Sequence, residues 1–268
     1  MINASLGKYH HSESLIHHLD PRTKILSLIS ILVSISIANS AYGFIIISIF
    51  IALEITISHI PLRLIAQYIR PMLWLFISII LLHALFTDAD TEIIFSAGPV
   101  KVTLRGLYDG FLICYRFLLA VLCTAILMLT TMPIRLADGI AEFLKPFRRI
   151  KVPVDQIPVM MMVTLRFIPT LFSEGEKLIL SQKVRGLKFE NQGFLRKLFF
   201  ISALIAPLMR NSFRMADELA MSVESRCYHG GTRTHLYELI FHKADYMTIF
   251  ISISMIPLTL ALNYLNWL

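Results

Sequence analysis

The sequence predicts an all-α integral membrane protein with about five transmembrane helices and a large cytoplasmic region of amphipathic helices. Two observations predict the membrane part: 56% of the 268 residues are hydrophobic, and only 16% are charged, which is less charge than a soluble domain of this length carries. A third observation predicts the cytoplasmic part. Apolar residues between positions 133 and 245 are interrupted by charges at helical intervals, a pattern typical of amphipathic helices.

Five apolar stretches that are nearly free of charge define the predicted spans. A spanning helix needs roughly 20 apolar residues, and about 17 suffice. The last two stretches meet this length, whereas the first three are short or interrupted by serine, so one helix more or fewer is possible. The stretches are Ile25–Ala38, Tyr42–Ile57, Met72–Phe86, Leu107–Leu129 and Met247–Leu265.

Serine is frequent in the first two stretches, and two interpretations remain open. Serine is a small residue that a lipid-facing helix tolerates, or it marks a face where a neighbouring protein approaches closely. The residues concerned are Ser27, Ser30, Ser34, Ser36 and Ser48.

The distribution of Lys and Arg predicts the orientation in the membrane. These residues precede the first span, lie between the second and third spans, and reach seventeen in residues 133–245. Because cytoplasmic loops carry the excess of Lys and Arg, we expect the N-terminus and the long segment to be cytoplasmic. The C-terminus is then extracellular, with Trp267 at the interface. Insertion topology explains the basic bias, so we expect no nucleic-acid partner.

These patterns predict three regions. Residues 1–132 form a cytoplasmic entry and transmembrane helices one to four, residues 133–245 form the cytoplasmic helices, and residues 246–268 form the last transmembrane helix. The N-terminus lacks the pattern of a cleaved signal peptide, so the first apolar stretch is expected to remain as a span.

The cytoplasmic region is predicted to contain three helices, two of which have proline in their interior. The helices cover Ile134–Phe147, Val154 to about Arg185, and about Gly193 to Arg226. Interior prolines kink or divide a helix. Pro158, Pro169 and Pro207 are therefore candidate hinges.

Arg185 and Arg226 are the most informative pair of residues in the chain. They lie 41 residues apart, each at the end of a similar helical stretch, and Leu178 matches Leu219 at the same offset. One interpretation is ordinary helix ends, since a cation suits the last turn and glycine, such as Gly186, follows. The other is a pair of guanidinium forks that enter grooves on two similar partners.

Motifs of soluble catalysis are absent from the sequence. It contains no G-x-x-x-x-G-K-[ST], G-x-S-x-G, H-E-x-x-H or C-x-x-C, so we expect no ATP hydrolysis, cofactor or metal in this chain itself. Three cysteines, Cys114, Cys123 and Cys227, have no pairing or metal spacing and are expected to be reduced thiols. The His-rich stretch around His10 and His17 is expected to be a polar membrane-surface segment rather than a metal site.

Ionisable residues in or near the spans leave an alternative function open. An ion-driven secondary carrier would use Glu54, His83 and Arg116, because intramembrane ionisable groups are functional candidates. A buried Glu54–Arg116 ion pair between helices is the structural interpretation of the same residues. No Ser/His, paired Asp or metal-ligand constellation supports an intramembrane enzyme.

Four motifs resemble a known family over nearly the whole chain. They are Ser14–Lys24 (SLIHHLDPRTK), Leu129–Pro133 (LTTMP), Met161–Thr170 (MMVTLRFIPT) and Ala216–Ala220 (ADELA). On these motifs the chain resembles the T components of energy-coupling factor transporters, which are the membrane subunits of vitamin-importing ABC systems. The stretch from Arg233 to Asp245 looks closer to the vitamin type than to the dedicated cobalt or nickel type.

The resemblance implies a cell-membrane subunit with several partners. The family's two coupling motifs, usually Ala-Arg-Gly, stand here as Val184-Arg185-Gly186 and Ser225-Arg226-Cys227, so the second lacks both the alanine and the glycine. Each arginine is expected to enter a groove on one of two ATPase subunits, which bind ATP and Mg. A substrate-binding S component is expected to capture the vitamin and pack on this chain.

Overall fold

The structure, a computed structural model, describes residues 14–86, 93–97, 100–150, 156–185, 194–227 and 241–265. These residues form two compact units. The bundle unit holds the described residues up to position 143 and those from 241 onward, and the paired-helix unit holds those between 144 and 227. Several predictions concern residues outside the described ranges: His10, Val154, Gly186, Gly193, Trp267 and positions 233–240.

The bundle unit is built from helices α1–α7 and α10, with one β-hairpin. The helices are α1 (Leu15–His18), α2 (Pro21–Ile37), α3 (Ala41–Ile57), α4 (Leu62–Ile69), α5 (Leu73–Phe86), α6 (Leu104–Thr130), α7 (Pro133–Leu144) and α10 (Lys243–Leu265). A 3-10 turn at Arg70–Met72, which contains Pro71, joins α4 to α5. The predominance of helices and the apolar character of several confirm the predicted all-α membrane class.

The hairpin is an addition that the sequence analysis did not predict. Strand β1 (Ile93–Ala97) pairs antiparallel with β2 (Val100–Thr103). Thr103 then ends the strand and caps α6, because its hydroxyl accepts a hydrogen bond of 3.3 Å from the backbone N–H of Gly106. This cap starts the longest helix of the bundle.

Helices α2 and α10 run side by side in the same direction. At their N-terminal ends, the backbone N–H of Asp20 donates to Oδ1 of Asp245 over 2.9 Å. At their C-terminal ends, Nδ2 of Asn263 donates to the carbonyl of Ile37 over 2.8 Å. The N-terminal ends of α2 and α10 meet each other, and so do their C-terminal ends, so the two helices are parallel.

The other long helices of the bundle alternate in direction. Lys24 Nζ donates to the carbonyl of Thr130, and Arg116 Nη2 donates to that of Ala38, so α6 runs antiparallel to α2. Cys114 Sγ donates to the carbonyl of Phe76, and Gly106 faces His83, so α5 runs antiparallel to α6. One direction is thus shared by α2, α5 and α10.

The core of the bundle lies between α2, α3 and α6, and its outer surface is apolar. Ile31, Ile35, Ile47 and Ile51 are each at most 2% exposed. Large apolar side chains on the outside, such as Trp74 at 81% exposed, would be unfavourable in water and suit a lipid environment. The chain is a multi-pass membrane protein.

The small polar residues of α2 are mostly buried within this chain. Ser27, Ser30 and Ser34 are at most 8% exposed, and the hydroxyls of Ser27 and Ser34 donate to backbone carbonyls of their own helix, Lys24 and Ser30. Ser36 remains exposed. The face formed by Ser27, Ser30 and Ser34 therefore packs inside the bundle instead of meeting another protein.

Four described helical segments are long and apolar enough to cross a membrane. They are Leu62–Phe86, Leu104–Thr130, Ile157–Val184 and Lys243–Tyr264, and Ala41–Ile57 is a shorter apolar helix. All five predicted spans coincide with helices. The third of the four long segments falls in the region predicted to be cytoplasmic.

The paired-helix unit consists of a 3-10 turn, Lys145–Ile150, and helices α8 (Ile157–Val184) and α9 (Phe194–Glu224). The two helices pack on each other. At about 1.5 Å per residue they are roughly 42 and 46 Å long. The compact units divide at 143/144 and 236/237, so α7 groups with the bundle unit and not with the cytoplasmic region to which the sequence analysis assigned it.

The prolines of the paired helices differ in position. Pro158 is the second residue of α8, where its missing N–H removes no helical hydrogen bond. The prediction of an interior, kinking position for Pro158 is therefore wrong. Pro169 and Pro207 do lie inside α8 and α9.

Candidate functional site

Both predicted arginines lie at helix ends, but the two ends are closed differently. Arg185 is the C-cap of α8, and its N–H donates to the carbonyl of Ser181, four residues back, over 3.2 Å. Arg226 follows the end of α9, and its N–H donates to the carbonyl of Val223, only three residues back, over 3.2 Å. The second end is thus tightened into a 3-10 turn.

Cys227 takes the conformation for which glycine is favoured. Its φ is +60°, and its N–H donates to the carbonyl of Glu224 over 2.8 Å. The left-handed region costs a residue with a side chain roughly 1–2 kcal/mol. The Ser225-Arg226-Cys227 end is therefore turned as a glycine-capped helix would be, without the glycine.

The tips of both helices are exposed. Val184 is 83% exposed, and Arg185, Ser225 and Arg226 are exposed as well. Among the residues that the structure describes, neither guanidinium has a hydrogen-bond or ion-pair partner. Each tip therefore presents five N–H donors in a rigid fork to whatever approaches it.

The paired helices also expose large apolar side chains along their length. Met160 and Met162 are 58% and 54% exposed on α8, and Phe213 and Met221 are each 63% exposed on α9. Exposed apolar patches of this kind mark surfaces that contact lipid or protein. Methionine in particular adapts its shape to different contacts.

Comparison with known proteins decides the family. Residues 12–236 match the sequence model of the family described as CbiQ, cobalt transport protein. This chain belongs to the EcfT/CbiQ family of energy-coupling factor transporter membrane components. It is a transmembrane subunit of such a transporter.

Curated relatives cover the whole length of this EcfT-family chain. It is 36% identical over 268 residues to the energy-coupling factor transporter transmembrane protein EcfT of Acidaminococcus fermentans, covering 100% of this chain and 98% of the relative. The protein of the same name from Thermosediminibacter oceani is 35% identical, with 100% of both chains covered. That of Bacillus subtilis is 34% identical over 262 residues, with 97% of each chain covered.

The expected Glu54–Arg116 pair is not formed in this EcfT-family chain. Arg116 Nη2 donates to the carbonyl of Ala38 over 2.7 Å, and its guanidinium lies 5.8 Å from the Phe44 ring centroid. Glu54 is ten residues beyond Phe44 on α3, or about 15 Å along a helix. The carboxylate therefore lies near Cys123, seven residues beyond Arg116 on α6, and far from the guanidinium.

The structure does not assemble the three residues that an ion-driven carrier would use. Glu54 lines a cavity of about 280 Å³ among α1, α2, α3, α6 and α10, whose lining is apolar apart from a few groups that include Lys24 and Thr130. His83 packs instead where α5 meets Gly106 and Gly110. Arg116 lies at the α2–α3 connection.

Lys24 is a buried cation just before the apolar stretch that starts at Ile25. Its Nζ donates to the carbonyls of His17 and Thr130 over 3.3 and 3.1 Å. Burial, and to a lesser extent the positive charge of Arg135, lowers the pKa of the Lys24 ammonium to about 8. The lysine thus fastens α1 and the end of α6 to α2.

No metal centre is present in the part of the chain that the structure describes, where no three His, Cys, Asp or Glu side chains converge. His17 is buried, and its Nδ1 lies 2.7 Å from the hydroxyl of Ser14. Cys114, Cys123 and Cys227 are free thiols, as predicted.

The close contact of α5 with α6 depends on two glycines that the sequence analysis overlooked. A Cβ on Gly106 would lie 2.5 Å from the carbonyl oxygen of His83, and one on Gly110 would lie 3.1 Å from Cα of Ile80. The spacing Gly106-x-x-x-Gly110 inside an apolar helix is a known signal for close helix packing, so this contact could have been predicted.

Proposed function

We propose that this chain couples ATP hydrolysis by two partner ATPase subunits to the import of a substrate that an S component captures. The observation that carries the proposal is the pair of packed helices, α8 and α9, which both end in exposed arginines without partners in the described structure. Two similar tips match two similar receiving surfaces.

The chemistry of the tips indicates what each receiving groove contains. A guanidinium binds carboxylates through two parallel hydrogen bonds and also caps backbone carbonyls. We therefore expect acidic side chains and unpaired carbonyls in the ATPase grooves that receive Arg185 and Arg226. ATP and Mg bind to the ATPases, and this chain carries no cofactor.

The parallel directions of α2 and α10 support a non-spanning role for α8. Along the chain, three helices, α3, α5 and α6, cross the membrane after α2 and before α10. After these crossings and that of α2, the chain is back on the side of the membrane from which α2 starts, so α10 starts there as well. A single further crossing by α8 would reverse α10. The excess of Lys and Arg in residues 133–245 supports the same proposal, in which the arginine tips, the N-terminus and the start of α10 are cytoplasmic and the C-terminus is extracellular.

Coupling then proceeds by motion of the paired helices. ATP binding closes the two ATPases and changes the distance between their grooves, and the arginine tips follow. Pro169 and Pro207, inside α8 and α9, are the proposed hinges. The exposed apolar faces of the two helices pass the movement to the S component, which requires an element with two stable arrangements.

The deciding experiment is co-purification from cells that also express the ATPase subunits and S components of the same organism. The wild-type chain should bring down two ATPases, and Arg185→Glu or Arg226→Glu should lose them while still inserting into the membrane. Arg214→Glu is the matched control, because Arg214 is exposed on α9 away from the tip and pairs only loosely with Glu218 over 3.7 Å. Normal ATPase recovery with both tip variants would refute the docking role.

The substrate class is a separate part of the proposal. We favour a vitamin-type module over a dedicated cobalt or nickel importer, because the relatives that cover the whole chain are named energy-coupling factor EcfT. Mass spectrometry of the purified complex distinguishes the two, since several different S components would indicate the shared type. An ion-driven carrier would instead transport substrate as a single purified chain.

A further inference from the structure

Arg22 contacts the chain at both points where it passes between the two units. The chain leaves the bundle unit after α7 and returns to it just before α10. Nη1 of Arg22 lies 3.5 Å from Oε1 of Glu142, in the last turn of α7. The same guanidinium lies 5.4 Å from the ring centroid of Phe241, which precedes α10.

Neighbouring contacts hold Arg22 in this position. The Asp20 carboxylate caps α2 by accepting a hydrogen bond of 2.9 Å from the backbone N–H of Arg22. Oδ1 of the same carboxylate lies 3.9 Å from the side-chain Nε of Arg22. The helices also approach closely, because a Cβ added to Gly139 of α7 would lie 3.3 Å from side-chain atoms of Pro21 and Ile25. Arg22, at the start of α2, thus lies against two segments that are distant in sequence, the end of α7 and the residues just before α10.

The Arg22–Glu142 contact is shielded from solvent. The two side chains are 16% and 22% exposed, against 71% and 64% for Arg214 and Glu218. Exposed ion pairs contribute little, whereas removing one partner of a shielded pair leaves the other charge uncompensated and costs more. Because it differs in exposure, the Arg214–Glu218 pair is the matched control for the Arg22–Glu142 pair.

We propose that Arg22 is a positioning residue that ties both ends of the inserted paired-helix segment to the start of α2. Helix α7, the start of α2 and the start of α10 then move as one body. Motion of the tips must then be taken up beyond Leu144, while the bundle-side ends of both connections, Glu142 and Phe241, stay beside Arg22. The consequence for transport rests on the proposed function, whereas the rigidity does not.

The rigidity is tested on the purified chain alone. Spin labels are placed on Ile140 of α7 and Phe250 of α10, both exposed, in a variant without Cys114, Cys123 and Cys227. We expect a narrow distribution of label distances, which Arg22→Ala broadens and Arg214→Ala leaves unchanged. A distribution that Arg22→Ala does not alter would overturn the proposal.

The functional arm measures substrate imported per ATP hydrolysed in the reconstituted complex. Arg22→Ala should keep ATPase binding and hydrolysis but lower the ratio of substrate imported to ATP hydrolysed about tenfold. This is the change expected if the variant shifts the equilibrium between coupled and uncoupled arrangements about tenfold. Arg22→Lys should retain part of the ratio, and the exchange Arg22→Glu with Glu142→Arg should restore it beyond either single variant.

The outcomes separate the positioning role of Arg22 from the proposed coupling function of the chain. A residue with a merely structural role would lower assembly, hydrolysis and import together and leave the ratio unchanged, and that result would overturn the positioning role. If the wild-type chain recovers no ATPases, the proposed function fails and the label distances alone decide the rigidity. If Arg22→Ala does not accumulate, the same measurements on Arg22→Lys and on the exchanged pair decide both arms.

Discussion

Asp245 and Asp20, separated by 225 residues, are joined by a hydrogen bond of 2.9 Å from the backbone N–H of Asp20 to Oδ1 of Asp245. The other carboxylate oxygen of Asp245 accepts from the N–H of His242 over 2.7 Å. One buried carboxylate, 1% exposed, thus satisfies N–H groups at the starts of two parallel helices. Negative charge also suits both helix N-termini.

Replacing Asp245 should destabilise the bundle strongly. Asp245→Ala leaves two shielded N–H groups without acceptors, at about 1–3 kcal/mol each, so we expect a loss of about 2–6 kcal/mol. The apparent melting temperature in detergent should fall by about 4–24 °C. Asp217→Ala, on the exposed face of α9, is the control and should change it little. Equal melting of the two variants would contradict the role of Asp245.

Two glycine substitutions should have opposite effects on stability. In Gly106→Ala the new Cβ would meet the backbone oxygen of His83 at 2.5 Å, so α5 and α6 must separate, at a cost of about 1–3 kcal/mol. In Gly175→Ala no atom lies within 4 Å of the new Cβ, and alanine favours the helix by about 0.5–1 kcal/mol. The midpoint of thermal unfolding of each variant, compared with that of the wild-type chain, measures the change in stability. A neutral Gly106→Ala would show that the helices do not approach as closely as described.

Substitutions of Cys227 test the geometry of the second tip. Because its φ is +60°, Cys227→Gly should relieve about 1–2 kcal/mol of backbone strain, and Cys227→Val should increase it. Hydrogen exchange of the amides in the last turn of α9 should slow in the first variant and accelerate in the second. His59→Gly, at the other positive φ among the described residues that carry a side chain, should leave this turn unchanged. Faster exchange in Cys227→Gly would be incompatible with the assigned conformation.

Lysine substitutions at the tips separate charge from geometry. Arg185→Lys and Arg226→Lys keep the positive charge but lose the planar fork. If the grooves bind the fork, each variant should bind the ATPases about tenfold more weakly, whereas the glutamate variants should not bind. Titration of detergent-solubilised chain with purified ATPases gives these affinities, with Arg214→Lys as the control. Full affinity in both lysine variants would mean that only the charge is recognised.

Hydropathy and helical periodicity were enough to predict several elements closely. The stretch Tyr42–Ile57 corresponds to α3, and Val154–Arg185 and Gly193–Arg226 correspond to α8 and α9 within three residues. These properties are local, since each depends on residues within a few turns of each other. Pro158 was misplaced because the predicted helix started three residues too early.

Only the tertiary structure decided which polar groups meet. Glu54 and Arg116 are opposite charges in neighbouring helices, yet the register in which α3 packs on α6 sets Phe44 beside Arg116 and Glu54 near Cys123. Asp20 with Asp245, and Arg22 with Glu142 and Phe241, lie more than 100 residues apart in the chain. Helix direction and packing determine such contacts, whereas the sequence by itself determined the spans, the asymmetry of Lys and Arg, and the two arginine-tipped helices.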